Sequence, residues 1–279
     1  MKRVATEADP IALPAAPMRS HWEARLRAGF ANDHGTMRLI GRDHFGPLRI
    51  QKPLYPEGPQ VCHAIVVHPP GGVVGGDRLE IDIGIGAAAH ALIATPGAGK
   101  WYKANGHVSQ QVVRLSVGDD ASLEWLPQET IFFNHANVQL DTRIDMAADA
   151  RYIGCEILCF GRTASGEAFN AGTVTQHTEI RRGGRLVWFE QGALDGAGSG
   201  MQSPLALAGK SVCATIIAIG RSLSPTSLAA LRERTAQAAA NTGVTQLKSV
   251  LVVRYLGDSS QTARQVMLAA WRHLRPELL

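Results

Sequence analysis

Alternation with a period of two runs through most of the chain, from residue 22 to about residue 220, and restricts its fold more than any other feature. Asn137–Met146 show it most cleanly. Val138, Leu140, Thr142, Ile144 and Met146 fall on one face, and Asn137, Gln139, Asp141, Arg143 and Asp145 fall on the other. Side chains of a strand point alternately to its two sides, so this pattern describes a strand with one face in a core and one in water. Val113, Leu115 and Val117 share a face before Gly118-Asp119-Asp120, and Ala121, Leu123 and Trp125 share one after it, which predicts a hairpin. A second hairpin is expected at Gly183-Gly184, between residues 173–180 and 186–190. Residues 153–160 are almost continuously apolar, as in a strand buried on both faces.

The pattern changes after Gly220. Ser224-Pro225 suits a capped helix start, and Leu228, Leu231 and an Ala-rich run follow, up to Asn241-Thr242-Gly243. Residues 247–255 predict one more strand. Residues 261–274 predict a second helix, stopped by Pro276. The plan is a long β body followed by helix, strand, helix, with no linker dividing it and no strict internal repeat. Residues 1–20, Ala/Pro-rich with no continuous apolar stretch, are expected to be a flexible tail. Residues 21–279 form one domain.

Composition narrows the function classes. Hydrophobic residues make up 45% of the 279, enough for a sizeable core, and charged residues only 19%, which argues against disorder. The net charge of +4 is spread thinly, and its densest cluster, Arg181-Arg182-Gly183-Gly184-Arg185, falls on the expected hairpin, so no nucleic-acid footprint is indicated. No stretch has the apolar length of a membrane span. Four cysteines without a signal peptide read as reduced thiols in a cytoplasmic protein.

No complete catalytic motif is present. Gly97-Ala98-Gly99-Lys100 imitates the end of a phosphate-binding loop, but Ala94 stands where the first Gly is required, Trp101 replaces the magnesium-binding Ser/Thr, and no helix is predicted after it. Gly71-Gly72-Val73-Val74-Gly75-Gly76-Asp77 lacks dinucleotide spacing. It reads equally as a close approach of backbones or as a loop shaped for a partner. The histidines show no ligand spacing, and Cys155 and Cys159, on one face of a strand but about 13 Å apart, read as buried inert thiols. Glu124, Glu129, Glu156, Glu167 and Glu190 sit in apolar surroundings, each half-exposed or paired with an arginine. A line of such carboxylates is alternatively a path for a cation. A β-rich hydrolase or cupin-like enzyme acting on a small molecule or sugar stays open as a competing reading, although the H-x-H of a cupin is absent.

Read together and in order, these stretches resemble the urease accessory proteins of the UreD (UreH) type. The matching residues are His68 to Asp77, Thr95-Pro96-Gly97-Ala98-Gly99-Lys100-Trp101-Tyr102, Leu123 to Thr130, Glu156 to Arg162, and Gly166-Glu167-Ala168-Phe169. Lys103 stands where many relatives carry Arg. The resemblance implies a mainly β fold of stacked, partly helically wound strands (solenoid- or sandwich-like) with two C-terminal helices. It also implies a non-catalytic chaperone that binds apo-urease and UreF and, through UreF, the GTPase UreG. Neither a nucleic acid nor a membrane is an expected partner. No tightly bound cofactor is expected, only nickel in transit through an internal channel. Asp77, Glu129, Glu156 and Glu167 are then the candidate stations for the metal. His68, Gly71, Gly72, Gly75, Gly76, Thr95, Lys100, Tyr102 and Arg162 are the motif-loop residues. Apolar contact surfaces are expected as well, and residues 86–95 read as one such surface or, at least equally, as a packed strand.

Overall fold

The computed structural model describes residues 21–279, so the expected tail at 1–20 lies outside the described residues. The first strands are β1 (Glu23–Asp33), β2 (Thr36–Phe45), β3 (Arg49–Ile50), β4 (Cys62–Val67), β5 (Arg78–Ile85) and β6 (His90–Ala94). Next come β7 (Gly99–Trp101), β8 (Ser109–Val117), β9 (Ser122–Leu126), β10 (Thr130–Phe132), β11 (Asn137–Met146) and β12 (Arg151–Phe160). The chain ends with β13 (Thr173–Arg182), β14 (Arg185–Asp195), β15 (Val212–Ile219), α1 (Pro225–Ala238), β16 (Thr242–Leu247), β17 (Val250–Gly257) and α2 (Ser260–Leu278).

Two sheets face each other. One has the order β14-β13-β11-β8-β5-β1-β2. The other has the order β16-β17-β15-β12-β9-β6-β4-β3, with β7 and β10 added through β12. From β4 to β13 the long strands alternate between the sheets, and neighbours within each sheet run parallel. The chain is therefore wound as a flattened coil, one rung per roughly thirty residues, as in solenoid proteins. Antiparallel partners close the ends: β2 beside β1, β14 beside β13, and β15, β17 and β16 beyond β12.

The alternation read from sequence is obeyed. Val138, Leu140, Ile144 and Met146 are buried between the sheets, with Val113, Leu115 and Val117 beside them. β12 is buried on both faces. Tyr152, Leu158 and Phe160 join the core between the sheets, whereas Ile153, Cys155, Ile157 and Cys159 join a second core under the helices. That second core takes the apolar stripe of α2 (Ala263, Val266, Met267, Ala270, Leu274). The start of α1 is capped as expected, Ser224 Oγ accepting from the amide of Ser227 at 3.1 Å, and Ser259 Oγ caps α2 by accepting from the amide of Thr262 at 3.2 Å.

Three local expectations differ. Gly118-Asp119-Asp120 is not a hairpin turn, because β8 and β9 lie in different sheets. It is a corner of the coil, stacked on the corner before it through Gly118 N to Ile85 O (2.9 Å) and Ala88 N to Asp119 O (2.8 Å). The corners at Gly86–Ala89, Gly118–Ala121 and Ala147–Ala150 each close with the same four-residue backbone hydrogen bond, a structural repeat beneath a sequence without a strict one. β16 and β17 form a hairpin where one strand was expected, turning at Lys248 with φ of 55°. Helix α2 runs through Pro276 to Leu278. Leu278 is buried beside Gly220, and Arg221 Nε donates to the Glu277 carbonyl at 2.5 Å, satisfying an otherwise unpaired acceptor of the last turn. Residues 86–95 are a corner, exposed at Ala87 and Ala88, and a packed strand, as one of the two expectations for them had it.

Candidate functional site

The coil has one edge of short corners and one edge of long loops. The long edge carries the sequence motifs: residues 68–77, 95–108, 127–136 and 161–172 are its successive connections. Their backbones are zipped together. Val73 N donates to Lys100 O and Tyr102 N to Val73 O, both at 2.8 Å. Phe133 N donates to Trp101 O (2.9 Å), Gly161 N to Phe132 O (2.8 Å) and His135 N to Ala171 O (2.8 Å). The glycines permit this approach. A Cβ at Gly75 would lie 1.8 Å from the Ala104 carbonyl oxygen, and one at Gly72 would lie 2.4 Å from the Tyr102 ring. Gly71 and Gly76 have φ of 80° and 92°, which suits glycine.

Most motif residues hold this face together. The buried Asp77 carboxylate accepts from the amides of Trp22 (2.8 Å) and Val74 (3.0 Å). Thr95 Oγ1 accepts from Gln128 N at 2.9 Å and donates to Gly97 O at 3.1 Å. The Tyr102 hydroxyl donates to Gly71 O (3.4 Å), and its ring meets Phe133 edge-on with centroids 4.8 Å apart. Arg162 lies 4.4 Å from the centroid of Phe133 and donates to Glu167 at 2.5 Å and 3.0 Å. Glu167 also accepts from Asn134 N at 2.7 Å. Lys100 is exposed on β7, so the sequence that imitates a phosphate-binding loop is a strand and has no helix N-terminus behind it.

The acidic residues divide sharply. Glu124 receives Arg275 (3.0 Å), His90 (2.8 Å) and the indole of Trp271 (2.5 Å). Glu129 receives Arg264 (Nε, 3.1 Å), Glu167 receives Arg162, and Glu190 receives Arg254 (2.6 Å). Among the described residues Glu156 has no cationic partner. It points from β12 between the sheets, where Gln176 Nε2 donates to Oε2 at 2.6 Å. Burial, opposed by that hydrogen bond and reinforced by the charge of Glu190, pushes its carboxyl up to about 7.

Glu156 faces a cavity of about 260 Å³ between the sheets. Its walls are Ile81, Val113, Leu140 and Ile144 from one sheet and Val66, Trp125 and Ile217 from the other. At the loop edge it is bounded by His68, Gly71, Gly72 and residues 95–101, and at the far edge by Gln176, Thr178, Glu190 and Thr215. Burial lowers the pKa of His68, with Asp77 opposing, so the imidazole at the mouth is neutral near pH 7. Among the four acids singled out from sequence, only Glu156 lines the cavity. Asp77, Glu129 and Glu167 are engaged around the loop edge. Gln176, Thr178 and Thr215 belong to the same interior polar group and carry no local sequence signal. Among the described residues no three His, Cys, Asp or Glu side chains converge as a metal cage. Cys155 and Cys159 are buried free thiols pushed up to about 12 by desolvation.

A parallel two-sheet coil backed by two helices, with a rigid loop edge over an interior cavity, defines a β-solenoid-like scaffold. A family model described as UreD urease accessory protein matches residues 23–279, and the chain belongs to that family. Its members are accessory proteins, not enzymes. Relatives named urease accessory protein UreD include one from Janthinobacterium sp. (strain Marseille), 61% identical over 259 residues, covering 92% of this chain and 88% of the relative. Another, from Nitrosospira multiformis, is 52% identical over 264 residues, covering 94% and 93%. A third, from Azoarcus sp. (strain BH72), is 46% identical over 257 residues, covering 92% and 90%. Among the described residues no helix is long and apolar enough to cross a membrane.

Proposed function

We propose that this protein binds apo-urease together with UreF, and UreG through UreF, in the cytoplasm, and that nickel reaches the urease active site through its interior. The observation that carries this reading is the lone carboxylate of Glu156 in the cavity between the sheets, left without a cation while Glu124, Glu129, Glu167 and Glu190 each hold an arginine. One carboxylate with amide and hydroxyl oxygens around it binds a divalent ion weakly, which transit requires and storage does not. No cofactor needs to stay bound. The rigid loop edge and the apolar residues exposed on the outer strands β2 (Ile40, Phe45) and β14 (Leu186, Phe189) supply surfaces for partners.

The test is activation of apo-urease in vitro with the accessory proteins and either wild type or Glu156→Gln, measuring nickel bound to urease and the integrity of the complex. The variant should assemble normally and deliver several-fold less nickel. Full nickel loading by the variant would remove the interior route.

A further inference from the structure

The cavity between the sheets is bounded at one end by the loop edge. At the other end it reaches β14, the edge strand of the first sheet, which faces β17, the strand next to the edge of the second. There the strand registers place Glu156, Thr215 and Arg254 in one row across β12, β15 and β17, and Thr178 beside Glu190 on β13 and β14. Arg254 Nη2 donates to Glu190 Oε1 at 2.6 Å. Among the described residues this is the one ion pair that joins strands of opposite sheets. Glu190 lines the cavity, yet its side chain is 33% exposed and that of Arg254 is 53% exposed, so the pair stands where interior meets solvent.

The geometry points to an ionic latch: Arg254 and Glu190 close this end of the cavity, and their separation opens a mouth there. A half-exposed pair is weak and screened by salt, which suits a closure that must open. Opening also frees the Glu190 carboxylate to face Glu156, so the open mouth is more attractive to a cation than the closed one. The use of such a mouth rests on the transit reading, whereas the closure itself can be measured without nickel.

Cys213 reports on it. This thiol lies on β15 two positions from Thr215, half-buried against the core between the sheets and beside the cavity lining, and desolvation pushes it up to about 12. Its alkylation by iodoacetamide, followed by peptide mass mapping, should be roughly three- to fivefold faster in both Arg254→Gln and Glu190→Gln, the change in open population that a surface pair can hold. Arg254 lowers the thiol pKa and Glu190 raises it, so a purely electrostatic effect would move the two variants in opposite directions. Salt at about 0.5 M should speed the wild type and leave the variants unchanged. The reversed pair Arg254→Glu/Glu190→Arg should restore slow labelling. Arg38→Gln, which breaks the exposed Arg38–Asp33 pair on β2 and β1 at the opposite edge of the first sheet, should change nothing. Equal rates in wild type and both single variants, or opposite shifts in the two, would overturn the latch. If labelling responds but nickel transfer to urease does not, the latch stands and the transit reading fails. If transfer falls with labelling unchanged, the latch fails and the transit reading stands.

Discussion

Gln176 and Glu156 meet across the space between the two sheets, with the amide Nε2 donating to the carboxylate Oε2 at 2.6 Å. The hydrogen bond favours the ionised acid, yet burial outweighs it and the carboxyl titrates at about 7 instead of 4.5. The folded protein therefore holds a proton that the unfolded chain has lost, and stability falls as pH rises from about 4.5 to 7 before levelling. Glu156→Gln should remove this slope and leave the protein more stable at pH 8 by up to about 3 kcal/mol. Urea unfolding of both proteins at pH 5 and pH 8 measures it. A wild-type–variant difference that is the same at both pH values would mean that the carboxyl is ionised throughout.

The same titration bears on cargo. A protonated carboxyl is a poor metal ligand. Nickel transfer to urease should rise between pH 6 and pH 8 in the wild type, beyond the change seen with Glu156→Gln. Parallel pH profiles for the two proteins would separate Glu156 from the metal.

Gly75 and Gly97 lie in neighbouring motif loops but differ in what a methyl group would meet. At Gly75 it would overlap the Ala104 carbonyl at 1.8 Å, whereas at Gly97 nothing lies within 4 Å. Gly75→Ala should cost about 2–4 kcal/mol through backbone displacement, and Gly97→Ala should stay within about 0.5 kcal/mol of wild type. Thermal unfolding distinguishes them. Nucleotide binding lost in Gly97→Ala would restore the phosphate-loop reading of residues 97–100.

Arg275 holds α2 to β9 of the second sheet through Glu124, which is 0% exposed, and to the connection between β3 and β4 through Glu57. Arg275→Ala leaves the Glu124 carboxylate buried with only His90 and Trp271, and should destabilise by about 3–5 kcal/mol. Hydrogen exchange should accelerate first in α2. A loss below about 1 kcal/mol would mean that His90 alone can neutralise Glu124.

Sequence patterning made the strands legible because burial imposes period two locally: β11 and β12 were read with their faces correctly assigned. It did not reveal that β8 and β9 part into different sheets at Gly118, since a coil corner and a hairpin need the same turn residues. The repeated corners were the available signal, with small or acidic residues at 86–89, 118–121 and 147–150. Pro276 was overruled by the burial of Leu278, a tertiary contact. For the acids, pairing with arginine was the expectation that held for Glu124, Glu129, Glu167 and Glu190. What remained hidden was which one would lack a partner. Arg264 reaches Glu129 across 135 residues, Arg275 reaches Glu124 across 151, and Arg254 reaches Glu190 across 64, separations that no local pattern reports.

The coil of parallel strands has a consequence for how the protein comes into being. Every rung pairs with one made about thirty residues earlier, so no hairpin can nucleate the middle of the molecule, and loop closure must precede each ladder. Until the next rung is laid down, the growing end shows two raw strand edges over an open apolar trough. During synthesis β1 must wait for β5, and β12 waits for β15, before its second edge is covered. The last elements made, β17 and α2, are the ones that seal the second core. The nascent chain is thus exposed to aggregation until α2 is made, and slow, vectorial folding is built into the topology.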